Sequence, residues 1–189
     1  MNEHEGRRGQ QQNTQFPLKV SYSRTNKIVL GAVFTALAAI FQSAGVFAGI
    51  GYALSILTTL PIVLSCLISL RIGIMSYFNT ILLLMIFLPS ELFVFPFTTG
   101  LLGISLGTAF KFWKNWLSIT VFGGSSLTAG IMALLYVFGF PVLGPTVSHT
   151  FNSKVVLLIF LFSLVYSWIW MVLGKKAARL LMKSTIVKK

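Results

Sequence analysis

Residues 28–174 form one nearly continuous apolar stretch, interrupted by a handful of charges. A chain that is 56% hydrophobic, with its apolar residues run together in this way, has lipid as its solvent. In lipid every backbone N–H and C=O must be paired inside the protein, which leaves helices or closed barrels. A barrel would show short alternating segments. The runs here are long and built of Leu, Ile, Ala and Phe. The expectation is an all-α, polytopic membrane protein.

One crossing of a hydrocarbon core about 30 Å thick takes about 20 helical residues. The pattern predicts a six-helix transmembrane domain over residues 28–174, with spans at 28–47, 52–70, 72–88, 92–110, 117–140 and 155–174. Residues 1–27, with Gln10-Gln11-Gln12-Asn13, read as a disordered basic cytoplasmic tail, and residues 175–189 as a second basic tail. The first apolar run carries no cleavage-site pattern, so no signal peptide is expected.

The net charge of +12 invites a nucleic-acid reading, but the cations sit in short clusters between apolar runs. That is a topology signal, not a binding stripe. With six spans, 14 of the 15 Lys and Arg fall on one face and Lys154 alone on the other. The positive-inside rule then predicts a multi-pass cell-membrane protein with both termini cytoplasmic. An odd number of spans would destroy the partition.

The chain has no Asp, and Glu91 is its only acid after Glu5. An acid in mid-membrane costs about 2.5–3.5 kcal/mol, so Glu91 belongs at an interface or at a site. Arg71 is the nearest cation before it, but the two bound opposite ends of the third span, about 25 Å apart at 1.5 Å per residue. No ion pair is expected. In Leu88-Pro89-Ser90-Glu91 the acid falls on the outer side.

Much chemistry is missing. There is no Walker A loop and no H-E-x-x-H. His4 and His149 fall in different compartments, and the lone Cys66 has no disulfide partner. A metal site is poorly supplied, and no cofactor is expected. Gly103-Ile104-Ser105-Leu106-Gly107 spells a nucleophile elbow, but it lies in a membrane helix of a chain without Asp. With Gly100 it reads as a close-packing glycine face, so the chain is expected not to be an enzyme. Without an ATP engine or an intramembrane acid, uphill transport would draw its energy from a partner.

Gly45, Gly49, Gly51 and Pro61 predict that residues 42–59 are partly irregular, as at transporter sites built from discontinuous helices. Polar residues there are Gln42, Ser43, Tyr52, Ser55, Thr58 and Thr59; others at outer or middle depth include Asn79, Thr98, Thr99, Tyr136 and His149. The candidates for binding a solute are Glu91, Gln42, Tyr52, Asn79 and His149. The ordinary alternatives are that Ser and Thr bond back to their own helices, that Asn79 stitches two helices together, and that His149 is merely solvated. In the first span Ala32, Ala36, Ala39 and Ser43 form a stripe of small residues, with Phe34, Leu37 and Phe41 opposite. Such a stripe either packs inside the bundle or docks another membrane protein.

Three stretches resemble the substrate-binding S component of energy-coupling factor (ECF) transporters. Residues 26–36 resemble its first helix, whose A-x-x-x-A motif contacts the coupling subunit; Ala32 and Ala36 match those positions. Leu60-Pro61-Ile62-Val63-Leu64 and Leu70-Arg71-Ile72-Gly73 resemble its proline-opened second helix and basic-glycine turn. Phe95-Pro96-Phe97 with Gly100, Gly103 and Gly107 resembles its glycine-rich fourth helix. The resemblance covers most of the chain. It implies a membrane subunit that captures a nutrient, a vitamin-like heterocycle, near the outer helix ends. Partners would be a transmembrane coupling subunit and ATPases. The metal-transporting branch opens on Met-His, which this chain lacks. A small membrane scaffold or signalling protein without a ligand remains the alternative.

Overall fold

The computed structural model describes residues 22–47, 50–139 and 153–186, with side chains given to residue 180 except that of Tyr52. Among these residues all regular structure is helical. The helices are α1 (Arg24–Ser43), α2 (Ile50–Ile56), α3 (Thr59–Ile68), α4 (Leu70–Phe87), α5 (Val94–Phe97), α6 (Thr99–Phe112), α7 (Trp116–Met132) and α8 (Ser153–Ile186). Tight turns at Ala44–Phe47 and Pro89–Glu91 extend α1 and lead into α5, and a π-helical turn, Ala133–Val137, ends α7. Among the described residues, five helical stretches are long and apolar enough to cross a membrane: Arg24–Phe47, Leu70–Phe87, Pro89–Phe112, Trp116–Val137 and Ser153–Leu180.

The second expected span, residues 52–70, is not one helix but α2 followed by α3. Pro61 is the physical reason. It has no N–H to give the Leu57 carbonyl, and the Leu60 N–H takes that carbonyl instead at 3.0 Å. The chain tightens at Leu57–Thr58, and α3 starts with Pro61 in its first turn, where a missing N–H costs nothing. At ten residues α3 is only about 15 Å long. It is also the innermost helix: it packs on α1, α4, α6 and α8, and every residue from Pro61 to Cys66 is buried. A helix apolar on all sides belongs there.

Close approach to α3 is made by glycine. A Cβ on Gly103 would lie 2.8 Å from the Ile62 side chain and 3.2 Å from the Thr59 carbonyl oxygen. A Cβ on Gly107 would overlap the Cys66 side chain, and one on Gly73 of α4 would overlap Cys66 from the other side. The glycine face of α6 is therefore a packing face, and the Ser105 hydroxyl within it donates to Ser126 Oγ of α7 at 2.6 Å. Val63, Leu102, Leu106, Phe110, Leu127 and Trp170 form the larger core between α3, α6, α7 and α8; Ala38, Ile62, Leu84 and Phe95 form the smaller one.

Outside this core the surface is apolar. Ile40 (63% exposed), Ile86 (73%) and Leu158 (71%) lie on three different helices. So wide an apolar belt is what a lipid-facing surface requires and what a water-facing one avoids.

The last expected span stopped at Gly174, but α8 continues to Ile186. Lys, Ala, Arg and Leu are strong helix formers, and Gly174 is a contact point, its missing Cβ letting Phe110 and Val63 approach. Contacts between Gly31 and Ile72, Gly73 and Cys66, Cys66 and Gly107, and Phe110 and Gly174 put Arg24, Lys27, Arg71, Lys111, Lys114, Lys175, Lys176 and Arg179 at one end of the bundle. Lys154, the second residue of α8, lies at the other end.

Candidate functional site

The end of the bundle away from the cation cluster is where the helices break. α1 gives way to a tight turn after Ser43, α2 breaks from α3 at Leu57–Thr58, α4 ends at Leu88, and α5 breaks from α6 at Thr98. The breaks bring together polar side chains that continuous helices would keep apart.

Gln42, in the last turn of α1, is 1% exposed. A buried amide without partners would cost about 1–3 kcal/mol, and both ends of this one are paired. Its Nε2 donates to Glu91 Oε2 at 2.7 Å, and its Oε1 accepts from Thr99 Oγ1 at 2.9 Å. The bond to the carboxylate is charge-assisted and correspondingly short. Pro89 at the first position of the turn Pro89–Glu91 sets the direction of that turn and delivers half-buried Glu91 to the amide. Thr99 is the first residue of α6, and its carbonyl accepts from Thr59 Oγ1 of α3 at 3.3 Å. One polar chain thus joins α1, the α4–α5 turn, α6 and α3.

The second carboxylate oxygen of Glu91 lies toward Gly45 and Ser55. A Cβ placed on Gly45 would sit 3.4 Å from Ser55 Cβ and 3.7 Å from Glu91 Oε1. The hydroxyl of Thr58, beside Thr59, is buried without a hydrogen-bond partner among the described residues. The cluster therefore offers one carboxylate oxygen beyond those its own network uses. Such a group suits a solute that carries N–H or O–H donors.

Two of the sequence-predicted site residues, Gln42 and Glu91, are thus brought into direct contact. Asn79 is exposed on α4, whose buried face is Gly73, Ser76, Thr80 and Leu84, and it does not join them. Tyr52 lies in α2 with its side chain outside the described set, and His149 lies outside the described residues. Arg71 and Glu91 stand at opposite ends of α4, separated by about 24 Å of helix. No match was found for this chain among protein-family models, curated proteins or solved structures.

The alanine stripe divides. Ala39 is buried, with Phe34 beside it, whereas Ala32 and Ala36 are exposed. They share the outer face of α1 with Val29 (54% exposed), Val33 (48%) and Ile40 (63%). Sequence reasoning had set Phe34 outside the stripe's packing face; it points into the core instead.

Several polar contacts escaped sequence reasoning. Thr99 and Thr59 were visible as polar residues, but nothing in their spacing singled out their bridge to Gln42. Tyr77 donates to the Pro96 carbonyl at 3.0 Å, securing the α5–α6 break to α4. Ser76 donates to the Gly31 carbonyl at 3.2 Å and Ser167 to the Thr120 carbonyl at 2.9 Å, both between helices. Thr35, Ser65, Thr80 and Thr128 behave as hydroxyls in membrane helices usually do, bonding back one turn.

Proposed function

We propose that the chain is the substrate-binding membrane subunit of an ECF-type nutrient importer. It captures a small solute at the outer end of the bundle and relies on partner coupling and ATPase subunits for energy. The observation that carries this reading is the Gln42–Glu91–Thr99 cluster. A buried amide and the only acid among the described residues meet where four helices are interrupted, at the end opposite the cations. Discontinuous helices with converging polar groups are the pattern of membrane solute sites. The solute class that fits is a vitamin-like heterocycle with N–H or O–H donors for the free oxygen of Glu91.

In this reading α2 and α3 together supply a sixth, broken crossing, and both termini are cytoplasmic. The charge partition supports that orientation, since Lys154 alone among the described cations lies at the outer end. In a Cys66→Ala background, Asn115→Cys and Leu180→Cys should label only from the cytoplasmic side and Thr150→Cys only from outside. Labelling of position 115 or 180 from outside would overturn the orientation.

Exposed Ala32 and Ala36 support the partner requirement, because small residues on a lipid-facing surface let another helix approach closely. Ala36→Leu should therefore leave folding and solute binding intact while abolishing uptake and complex formation. An Ala36→Leu protein that fails to fold would instead show the face to be internal packing, where overfilling costs about 1–3 kcal/mol. The proposal as a whole is tested by mass spectrometry of the purified protein for a co-purifying small molecule. A chain that carries none, and binds none from a panel of vitamins, is a scaffold rather than a carrier.

A further inference from the structure

At the cation-bearing end, α7 and α8 line an open cavity of about 350 Å³. Met171 and Val172 form its apolar floor, Trp116 and Trp168 its walls, and Lys175, Lys176 and Arg179 its rim. We propose that this cavity binds the phosphate-bearing headgroup of an anionic phospholipid from the adjoining leaflet. The inference concerns the opposite end of the bundle from the solute cluster and does not depend on the transport reading.

Residues 168, 172, 175, 176 and 179 recur at helical spacing, so one face of α8 changes from aromatic to apolar to cationic within three turns. Its cationic end lies toward the headgroups and its apolar part toward the hydrocarbon. Trp116 and Trp168 are each 48% exposed, as tryptophans at headgroup level are. Lys175 is half-buried and lines the cavity beside Met171, one turn earlier on the same face. An apolar stem over that floor with an ammonium at the rim is the geometry of a snorkelling lysine.

The rim lacks an anion of its own. Glu91 is the only acid among the described residues, and it lies at the other end of α6. Lys175 and Arg179 are four residues apart on one helix, where like charges repel. An anion between them would turn that repulsion into attraction and accept hydrogen bonds from both. α7 also begins at Trp116, and Asn115 before it makes no side-chain cap bond. The free N–H groups and positive dipole end of α7 therefore lie at the same level and favour an anion further.

The surroundings select a lipid over a free phosphate. The cavity sits at the small end of the range for ligand sites, about 300–1,000 Å³. A headgroup fits, and the acyl chains must run outside it. Leu117 (51% exposed), Ile169 (43%) and Leu173 (40%) provide the apolar surface there. A site for inorganic phosphate alone would have no use for two tryptophan walls and an apolar floor.

The test uses the full chain in nanodiscs of mixed phosphatidylcholine and phosphatidylglycerol, followed by native mass spectrometry of the lipid it retains. Wild type should retain phosphatidylglycerol preferentially. Lys175→Gln and Arg179→Gln should each weaken that retention roughly fivefold, the factor that one basic side chain near an anionic surface contributes. Lys111→Gln with Lys114→Gln removes two charges from the same end outside the cavity and should change retention little. Should the half-buried Lys175→Gln protein not fold, exposed Arg179→Gln decides alone. Equal retention by wild type and the cavity variants would overturn the proposal. So would an equal loss on removing Lys111 and Lys114, which would mark a diffuse field. Displacement of the lipid by inorganic phosphate at matching concentration would show a free-anion site and overturn the assignment to lipid.

Discussion

Gly107→Ala should destabilise the bundle by about 1–3 kcal/mol, and Gly107→Leu should leave little folded protein in detergent extracts. The Cβ that alanine adds would overlap Cys66 on α3, and Cys66 has no room to withdraw, because Gly73 of α4 meets it from the other side. α3 is held on four sides and cannot shift as a unit without losing its packing against α1 and α8. Thermal unfolding in detergent measures the loss. Cys66→Gly in the Gly107→Ala background should restore part of it, whereas Cys66→Ala should restore little, since the nearest atom to the added methyl is the Cβ of Cys66. A Gly107→Ala protein as stable as wild type would mean that α3 and α6 are not in this contact.

Glu91→Gln should weaken binding of the solute by roughly 10- to 150-fold while leaving the protein folded. Losing one charge-assisted hydrogen bond costs about 1.5–3 kcal/mol. The fold survives because the new amide oxygen still accepts from Gln42 Nε2, which Glu91 now does at 2.7 Å. Gln42→Leu is the contrasting variant. It strands the hydroxyl of Thr99 and the carboxylate of Glu91 together, and should cost about 1–3 kcal/mol of stability. Equilibrium binding of the co-purified solute, paired with thermal unfolding, separates the two effects. An unchanged dissociation constant for well-folded Glu91→Gln would remove Glu91 from the site. An additive double variant would show that the Gln42–Glu91 bond carries no coupling, whereas neighbours in one network couple by about 0.5–3 kcal/mol.

The all-helical character of this chain, its apolar surface and the gathering of cations at one end were legible in the sequence. All three follow from composition and local order. A long apolar run has only one way to pair its backbone in lipid, and cations cluster where helices end. The irregular stretch after α1 was legible for the same reason: Gly45, Gly51 and Pro61 act on their own neighbours. Gln42 and Glu91 stood out because a polar amide and a lone acid are costly in such surroundings.

Their meeting was decided by the tertiary structure. Gln42 and Glu91 are 49 residues apart, and no local rule says that the end of α1 faces the turn after α4. The same holds for Thr99 and Thr59, which looked like any hydroxyls until α6 and α3 were packed together. Ala32 and Ala36 share a spacing with buried Ala39, yet face outward; spacing places residues on one stripe, and only the neighbouring helices decide how much of it is covered. Pro61 was read as an interruption from its backbone chemistry, and it does mark a break. The last apolar run was ended at Gly174, but Gly174 lies inside an unbroken α8, because close packing against Phe110 and Val63 outweighs a glycine's modest helix penalty of about 1 kcal/mol. Backbone chemistry and polarity are properties of single residues and travel with the sequence; contact is a property of pairs, and folding alone selects the pairs.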